Sequence, residues 1–339
     1  MLATATSPKT ERIPALDFTK GALVLFMVLY HWINYFIGIG WPHYRYLRFL
    51  SPSFIFISGF MVSSVYLSKY EVIDFRLPKR LIVRGLKLLA IFIGLNGARL
   101  VVLPILSPGV SLSYQLDSDS VMAAFVTGNF TNKIVSFSIL VPIAYLLILS
   151  GLLMFLYRRH RSIFHVVFVL FLVSAVMLDM LGAKTMNLEI VTIGMLGVLI
   201  GFRPSETIQR IARYPYLLGF AYVLYIVAIS IWNVPFLLEI VGVCLSVTMI
   251  YLVGSIGTAP GRLQNVVILL GKYSLLGYIS QIAILQILAA SLRRFNPGIP
   301  VLAGSFIAAF ALTIISVEIV DRARREARSV DRVYRVVFN

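Results

Sequence analysis

LDFTKGALVLFMVLYH, residues 16–31, joins an acidic and a basic side chain to an apolar run that ends at a histidine. The run lies in a segment, 19–38, that is long enough to cross about 30 Å of hydrocarbon as a helix. Eleven helical steps of about 100° bring His31 to within about 20° of Lys20, about 16 Å further along the axis. Asp17, three residues before Lys20, lies on the same side. The stretch therefore predicts a membrane helix with one stripe of ionisable side chains.

The stripe has two interpretations. Ionisable groups within a membrane span are costly, so they commonly face the protein interior or water and mark a site. Alternatively, Lys20 extends its ammonium group to the cytoplasmic surface, and His31 anchors the helix at the outer interface. Spacing alone does not decide between them.

The composition indicates a membrane protein along the whole chain. Hydrophobic residues make up 59% and charged residues 13%, unlike a soluble domain. Long apolar runs without strict alternation predict helices, because each helix satisfies its own backbone in lipid. We expect an all-α polytopic helical bundle with about ten membrane spans, at roughly 19–38, 48–68, 85–106, 134–157, 163–182, 188–202, 215–233, 235–257, 264–290 and 299–320.

The basic residues are distributed unevenly between the predicted loops. The net charge is +16, and 23 of the 30 lysines and arginines fall on one side if the N-terminus is cytoplasmic. By the positive-inside rule this asymmetry places both termini in the cytoplasm and His31 toward the outer face. The charge is thus explained by the lipid bilayer as partner, and no nucleic acid is expected.

The chain is expected to form one membrane domain between two short tails. The predicted parts are a cytoplasmic N-terminal tail at 1–15, a membrane domain at 16–320 and a basic cytoplasmic C-terminal tail at 321–339. The first helix lacks a cleavage site and is expected to be retained. The single cysteine, Cys244, excludes a disulfide within one chain, and no metal site is predicted.

Two glycine patterns predict close contacts between helices. Ser58-Gly59 lies in the aromatic second span, and the short sixth span carries Gly194, Gly197 and Gly201. Small residues let two helix backbones approach in a membrane, so helix packing is the default explanation of both patterns.

The loop after the second span is the most basic connection. Arg76, Lys79, Arg80, Arg84 and Lys87 recur at helical steps and predict one basic face at the mouth of the third span. Anionic lipid headgroups would bind such a face. A phosphorylated cytoplasmic ligand would bind it as well, because arginine contacts phosphate through two parallel hydrogen bonds.

Three segments, in order, resemble the transmembrane acyltransferases, which include the acyltransferase-3 enzymes, the glucan-succinylating proteins and relatives of heparan-α-glucosaminide N-acetyltransferase. RIPALDFTKG, residues 12–21, with His31 is similar to the family's first helix, where Lys20 replaces an arginine. FISGF, residues 56–60, is similar to its aromatic-Ser-Gly signature. GKYSL, residues 271–275, followed by YISQ, residues 278–281, is similar to its late helix, where Gln281 replaces a frequent histidine.

The resemblance implies acyl transfer from cytoplasmic acyl-CoA, a co-substrate and not a tightly bound cofactor, to a hydroxyl or amine of an extracytoplasmic saccharide or glycan. It implies an O- or N-acyltransferase in the plasma (inner) membrane of a bacterium. His31 corresponds to the catalytic histidine and Lys20 to the cation near the donor. Further donor contacts are expected from the basic loop and support from three other residues: Arg76, Lys79, Arg80 and Arg84 for the donor, and Asp17, Ser58 and Gln281 for support.

Other functions stay open from the sequence. Lysine lacks the planar fork of arginine, so Lys20 changes the donor contact, and a non-catalytic family member is one alternative. A transporter or flippase for a lipid-linked sugar or small anion is another, because Arg99 and Glu239 fall in predicted spans. A non-enzymatic partner in envelope assembly is a third. The sequence also leaves open whether the chain forms a homo-oligomer.

Overall fold

The computed structural model describes residues 13–38, 42–67, 76–106, 118–129, 136–157, 159–160, 162–183, 185–203, 214–232, 234–256, 261–292 and 298–338. Within these ranges the chain is helical and has no β-strand. The helices are, in chain order, α1 (Pro14–Phe36), α2 (Leu50–Met61), α3 (Arg76–Leu106), α4 (Ser118–Val126), α5 (Leu140–Tyr157), α6 (Ile163–Met180), α7 (Met186–Gly201), α8 (Pro215–Ile231), α9 (Phe236–Ser255), α10 (Arg262–Lys272), α11 (Ser274–Leu292), α12 (Ile299–Glu326) and α13 (Arg328–Phe338). A 3₁₀ turn, Pro42–Leu47, precedes α2, and a π-helical turn, Val62–Leu67, extends it.

The protein is an integral membrane helical bundle. In the described part of the chain eight helices are long and apolar enough to cross a membrane, and α7 and α8 are shorter apolar helices. The prediction of a polytopic all-α membrane protein is confirmed at this level. The ten-span count and the cytoplasmic placement of both termini stay predictions.

The prediction of one continuous span at 264–290 is wrong. Tyr273 leaves the helical conformation (φ −112°, ψ 29°) and separates α10 from α11. Apolar residues at 266–270 and 275–276 flank the break, so a hydropathy window averages over the polar residues between them. With 11 residues, α10 is too short to cross the hydrocarbon, and α11 makes the crossing.

Other boundaries differ by several residues. The third helix begins at Arg76 and not near residue 85, so most of the predicted basic loop is helical. The fifth helix begins at Leu140 and not at 134. α8 and α9 are separate helices, as predicted, and α12 continues past residue 320 to Glu326.

The two predicted glycine patterns meet each other. A Cβ on Gly59 would overlap the carbonyl oxygen of Gly194, and one on Gly197 would overlap that of Phe56. α2 and α7 therefore pack backbone to backbone, and the packing explanation of both patterns is confirmed. α1 lies centrally and packs against α2, α9, α10, α11 and α12. Protein therefore surrounds α1, and with it the polar stripe, on several sides.

Candidate functional site

The acidic and basic residues at the start of α1 form an ion pair. The ammonium nitrogen of Lys20 lies 2.6 Å from Oδ1 of Asp17, and the side chains are only 15% and 11% exposed. Thr19, between them, turns away and donates its hydroxyl to the carbonyl of Ala15 at 2.7 Å. The predicted shared face of Asp17 and Lys20 is confirmed, and Asp17 holds the ammonium group in place.

Lys20 lines a cavity of about 190 Å³ at one end of the bundle, here called the basic end. Arg84 of α3 and Lys272 of α10 line the same cavity, so three cations from three helices share one wall. The remaining lining is mostly apolar and comprises Phe54, Ile57, Ser58, Met61, Val62, Leu88, Ile139, Leu140, Ile143, Leu147, Tyr273, Ser274, Leu275, Tyr278, Tyr334 and Phe338. Cations together with a mostly apolar lining suit a phosphorylated group that carries an apolar arm.

A glycine crossing sets the position of two of the cations. A Cβ on Gly21 would overlap the carbonyl oxygen of Val267, and one on Gly271 would overlap that of Asp17. α1 and α10 thus touch through their backbones. Lys20 and Lys272 each adjoin one of these glycines in sequence, so the crossing holds their backbones at the same depth.

Of the other predicted donor contacts, Arg84 lines the cavity. The predicted supporting residue Ser58 lines it as well, and its hydroxyl donates to the carbonyl of Phe54 at 2.9 Å. Arg76, Lys79 and Arg80 are exposed in the first turns of α3 and do not line the cavity. Sequence reasoning did not assign Lys272 to the site, although it is part of the GKYSL motif.

His31 lies deeper along the same helix, next to Tyr278. Their ring centroids are 6.3 Å apart, and Tyr30 packs its ring edge-on against the imidazole at 5.1 Å. Tyr278 also lines the cavity, so it connects the cavity to His31. Nε2 of His31 is buried and has no hydrogen-bond partner among the described residues. The imidazole therefore keeps one nitrogen free to exchange a proton with a ligand.

Further unpaired polar atoms lie one helical turn beyond His31 and Tyr278. Gln281 follows Tyr278 by three residues, and Asn34 follows His31 by three, so each continues the same helix face. Gln281 is fully buried, and within the described part of the chain neither its Oε1 nor its Nε2 has a partner. The buried Oδ1 of half-buried Asn34 also has no partner there. A buried unpaired polar group costs about 1–3 kcal/mol, so these groups are suited to hydrogen bonding with a ligand or water.

A tightly held turn at Ser136 and Phe137 packs against Tyr278. Asn96 binds the backbone of Ser136 twice, donating to its carbonyl and accepting from its N–H, each at 2.9 Å. Gln286 donates to the Ser136 hydroxyl at 2.8 Å and to the Tyr35 hydroxyl at 3.1 Å. These bonds hold Phe137 at φ 61°, a conformation that bulky residues rarely adopt, with its ring centroid 6.4 Å from that of Tyr278.

Glu239, one of the two charged residues named for the transport alternative, lies near a helix end. It is in the first turn of α9, and its carboxylate is 3.8 Å from the guanidinium of Arg48. Glu239 is therefore paired with a cation on a neighbouring segment, near the end of a span and not in its middle.

The C-terminal helix α13 contributes Tyr334 and Phe338 to the lining of the cavity. Arg324 donates to Oδ1 of Asp331 at 2.6 and 3.0 Å, and Arg335 lies 2.6 Å from Oδ2 of Asp331. Tyr273, at the break between α10 and α11, donates to Asp321 at 2.7 Å and accepts from Arg324 at 3.1 Å. Hydrogen bonds of Tyr273 therefore tie the predicted tail to the bundle, and ion pairs within the tail hold α13 against the end of α12.

The ion pairs of Asp331 predict acid release of α13. Hydrogen bonds from Arg324, and then from Arg335, hold the pKa of the Asp331 carboxyl below its usual value. A lowered folded-state pKa gives stability that is fully present above the ordinary value of about 3.9 and is lost as the pH falls through the lowered value. A nitroxide at position 336 in a Val336→Cys, Cys244→Ser variant should stay immobile at neutral pH and become mobile below about pH 4. Adding Asp331→Asn should make it mobile throughout, and an unchanged spectrum would contradict the role of the ion pairs.

No protein-family model, curated protein or solved structure matches the chain.

Proposed function

We propose that the protein is a membrane acyltransferase that moves an acyl group from acyl-CoA to a hydroxyl or amine of a saccharide. One observation carries the proposal: a cavity is lined by three cations and by Tyr278, which contacts a histidine with an unpaired nitrogen. This transfer requires cations that bind the anionic phosphates of the donor and, deeper in the bundle, a proton acceptor.

The donor would bind from the basic end. Lys20, Arg84 and Lys272 would contact its phosphates, and its thin thioester arm would follow the apolar wall toward Tyr278. Lys20 is a point charge and not a bidentate fork, so Arg84 would supply the planar contact. Asp17 would limit the motion of Lys20 through its ion pair.

The acceptor would approach His31 from the other side. Nε2 of His31 accepts the acceptor's hydroxyl proton while the hydroxyl oxygen attacks the thioester carbonyl carbon. The carbon–sulfur bond then breaks, and the leaving thiolate takes the proton from the imidazolium. The unpaired amide of Gln281 and Oδ1 of Asn34 would orient acceptor hydroxyls by hydrogen bonds.

The test uses purified protein in liposomes with labelled acetyl-CoA and a panel of saccharides. Lys20→Ala should raise the KM for acetyl-CoA by about 10- to 100-fold, because it removes one charge-assisted contact. Lys20→Arg should retain tight donor use, and Arg203→Ala, an exposed cation away from the cavity, should leave the KM unchanged.

Two outcomes would overturn the proposal. Accumulation of intact saccharide in the liposomes without acyl transfer would favour transport. An absence of both transfer and donor binding would favour a non-catalytic member. Lys20→Ala removes the donor contact and also leaves the Asp17 carboxylate unpaired. Asp17→Asn removes the carboxylate charge but keeps Lys20, so the two variants together separate these effects.

A further inference from the structure

Three side chains of the C-terminal region form a stack beside the donor cavity. The guanidinium carbon of Arg324 lies 3.9 Å from the ring centroid of Tyr334. The rings of Tyr334 and Phe338 are stacked, with centroids 4.7 Å apart and planes inclined by 24°. Tyr273 supports Tyr334 by an edge contact at 5.4 Å. Phe338 ends this stack, held in place through its neighbours.

The stack shares the cavity with the three cations. Tyr334 and Phe338 line it together with Lys20, Arg84 and Lys272. Burial raises the pKa of the Tyr334 hydroxyl, and the positive charges of Arg324 and Arg84 oppose that rise. Arg84 therefore lies close enough to Tyr334 to interact with it electrostatically. An aromatic surface next to clustered cations fits a molecule that has both a flat ring and phosphates.

The geometry of α13 separates these rings from its exposed side. Tyr334 and Phe338 are one turn apart on the same face and are half-buried. Val336, about 160° away from Tyr334 around the helix, is 64% exposed. The two rings therefore lie on the cavity side of α13 and not on its exposed side.

We propose that Phe338, through the ring face that Tyr334 does not cover, stacks on the purine base of a nucleotide-bearing donor, whose phosphates contact Lys20, Arg84 and Lys272. This inference rests on the proposed function and assigns a site to the base of the donor. A coenzyme A thioester carries a purine, whereas a phosphopantetheine thioester on a carrier protein does not. The aromatic stack would therefore select free acyl-CoA over a carrier-bound acyl group.

The test compares two ligands that differ in the purine nucleotide. Calorimetry on the full chain in detergent would measure binding of coenzyme A and of 4′-phosphopantetheine. Phe338→Ala should weaken coenzyme A binding by about 5- to 100-fold, the usual effect of losing one base-stacking ring. It should leave 4′-phosphopantetheine binding unchanged. Phe338→Tyr should retain coenzyme A affinity, and Val336→Ala is the matched control on the opposite face.

The possible results separate the two proposals. If wild type binds both ligands and Phe338→Ala weakens neither, the base site is wrong while the proposed function stands. If Phe338→Ala weakens both equally, the ring shapes the cavity without contacting a base, which also overturns the inference. Tighter binding by Phe338→Ala would show that α13 is only a cover. If wild type binds neither ligand, both proposals fail.

Discussion

His31→Ala should lower the rate of acyl transfer by about 10²- to 10⁴-fold, the usual contribution of a positioned general base. The imidazole contacts Tyr278 at the inner end of the cavity, and its Nε2 is buried without a partner among the described residues. Removing it leaves the acceptor hydroxyl without a proton acceptor. The donor cations lie toward the basic end, so the KM for acyl-CoA should change little. Single-turnover transfer and coenzyme A binding, measured on the same preparation, would separate these two effects.

The matched control is His165→Ala. His165 lies on α6, is exposed, and does not line the cavity. It should leave transfer unchanged. If His31→Ala transfers acyl groups as fast as wild type, His31 has no part in the chemistry, and its role as an interfacial anchor is the better interpretation.

Gly271→Ala should destabilise the protein by about 3 kcal/mol or more, toward or beyond the upper end of typical overpacking. Its Cβ would overlap the carbonyl oxygen of Asp17 and would approach the backbone nitrogen of Gly21 to 3.0 Å. Both neighbours are backbone atoms, so no side-chain rotation relieves the overlap, and α1 must move away from α10. Thermal unfolding in detergent would measure the loss, and coenzyme A binding should weaken with it because Lys20 and Lys272 separate.

Gly304→Ala is the control for this substitution. Gly304 lies within α12, and nothing lies within 4 Å of the position that its Cβ would take. Glycine is less favourable than alanine within a helix by about 0.5–1 kcal/mol, so this variant should be neutral or slightly more stable. Equal melting temperatures for the two variants would show that the α1–α10 crossing is not tight.

Hydropathy located the helices well but not their ends. Separate helices on either side of residue 233 and the close packing at Gly59 follow from residues that the sequence displays directly. The break at Tyr273 does not, since apolar residues closely flank it on both sides and a hydropathy window averages over it. The early start of α3 at Arg76 was missed because its first turns are too polar to resemble a span.

The site was predictable only where it follows a single helix. Asp17 and Lys20 are three residues apart, so their pairing follows from helical geometry. The meeting of Lys20 with Arg84 and Lys272 depends on which helices are neighbours, and local spacing does not contain that information. For the same reason the sequence places Tyr334 and Phe338 only in the C-terminal tail and does not predict that they line a cavity.

The interruption at Tyr273 divides the predicted span 264–290 into two helices that carry different residues of the candidate site. α10 is locked to α1 by glycine contacts and carries Lys272, whereas α11 carries Tyr278, Gln281 and Gln286. A rigid straight helix would transmit any change in tilt from one end to the other. With a joint between them, substitutions on α11 can change its surroundings while the contacts of α10 with α1 are kept. If the protein is the acyltransferase proposed above, its acceptor selectivity can therefore change independently of its donor contacts.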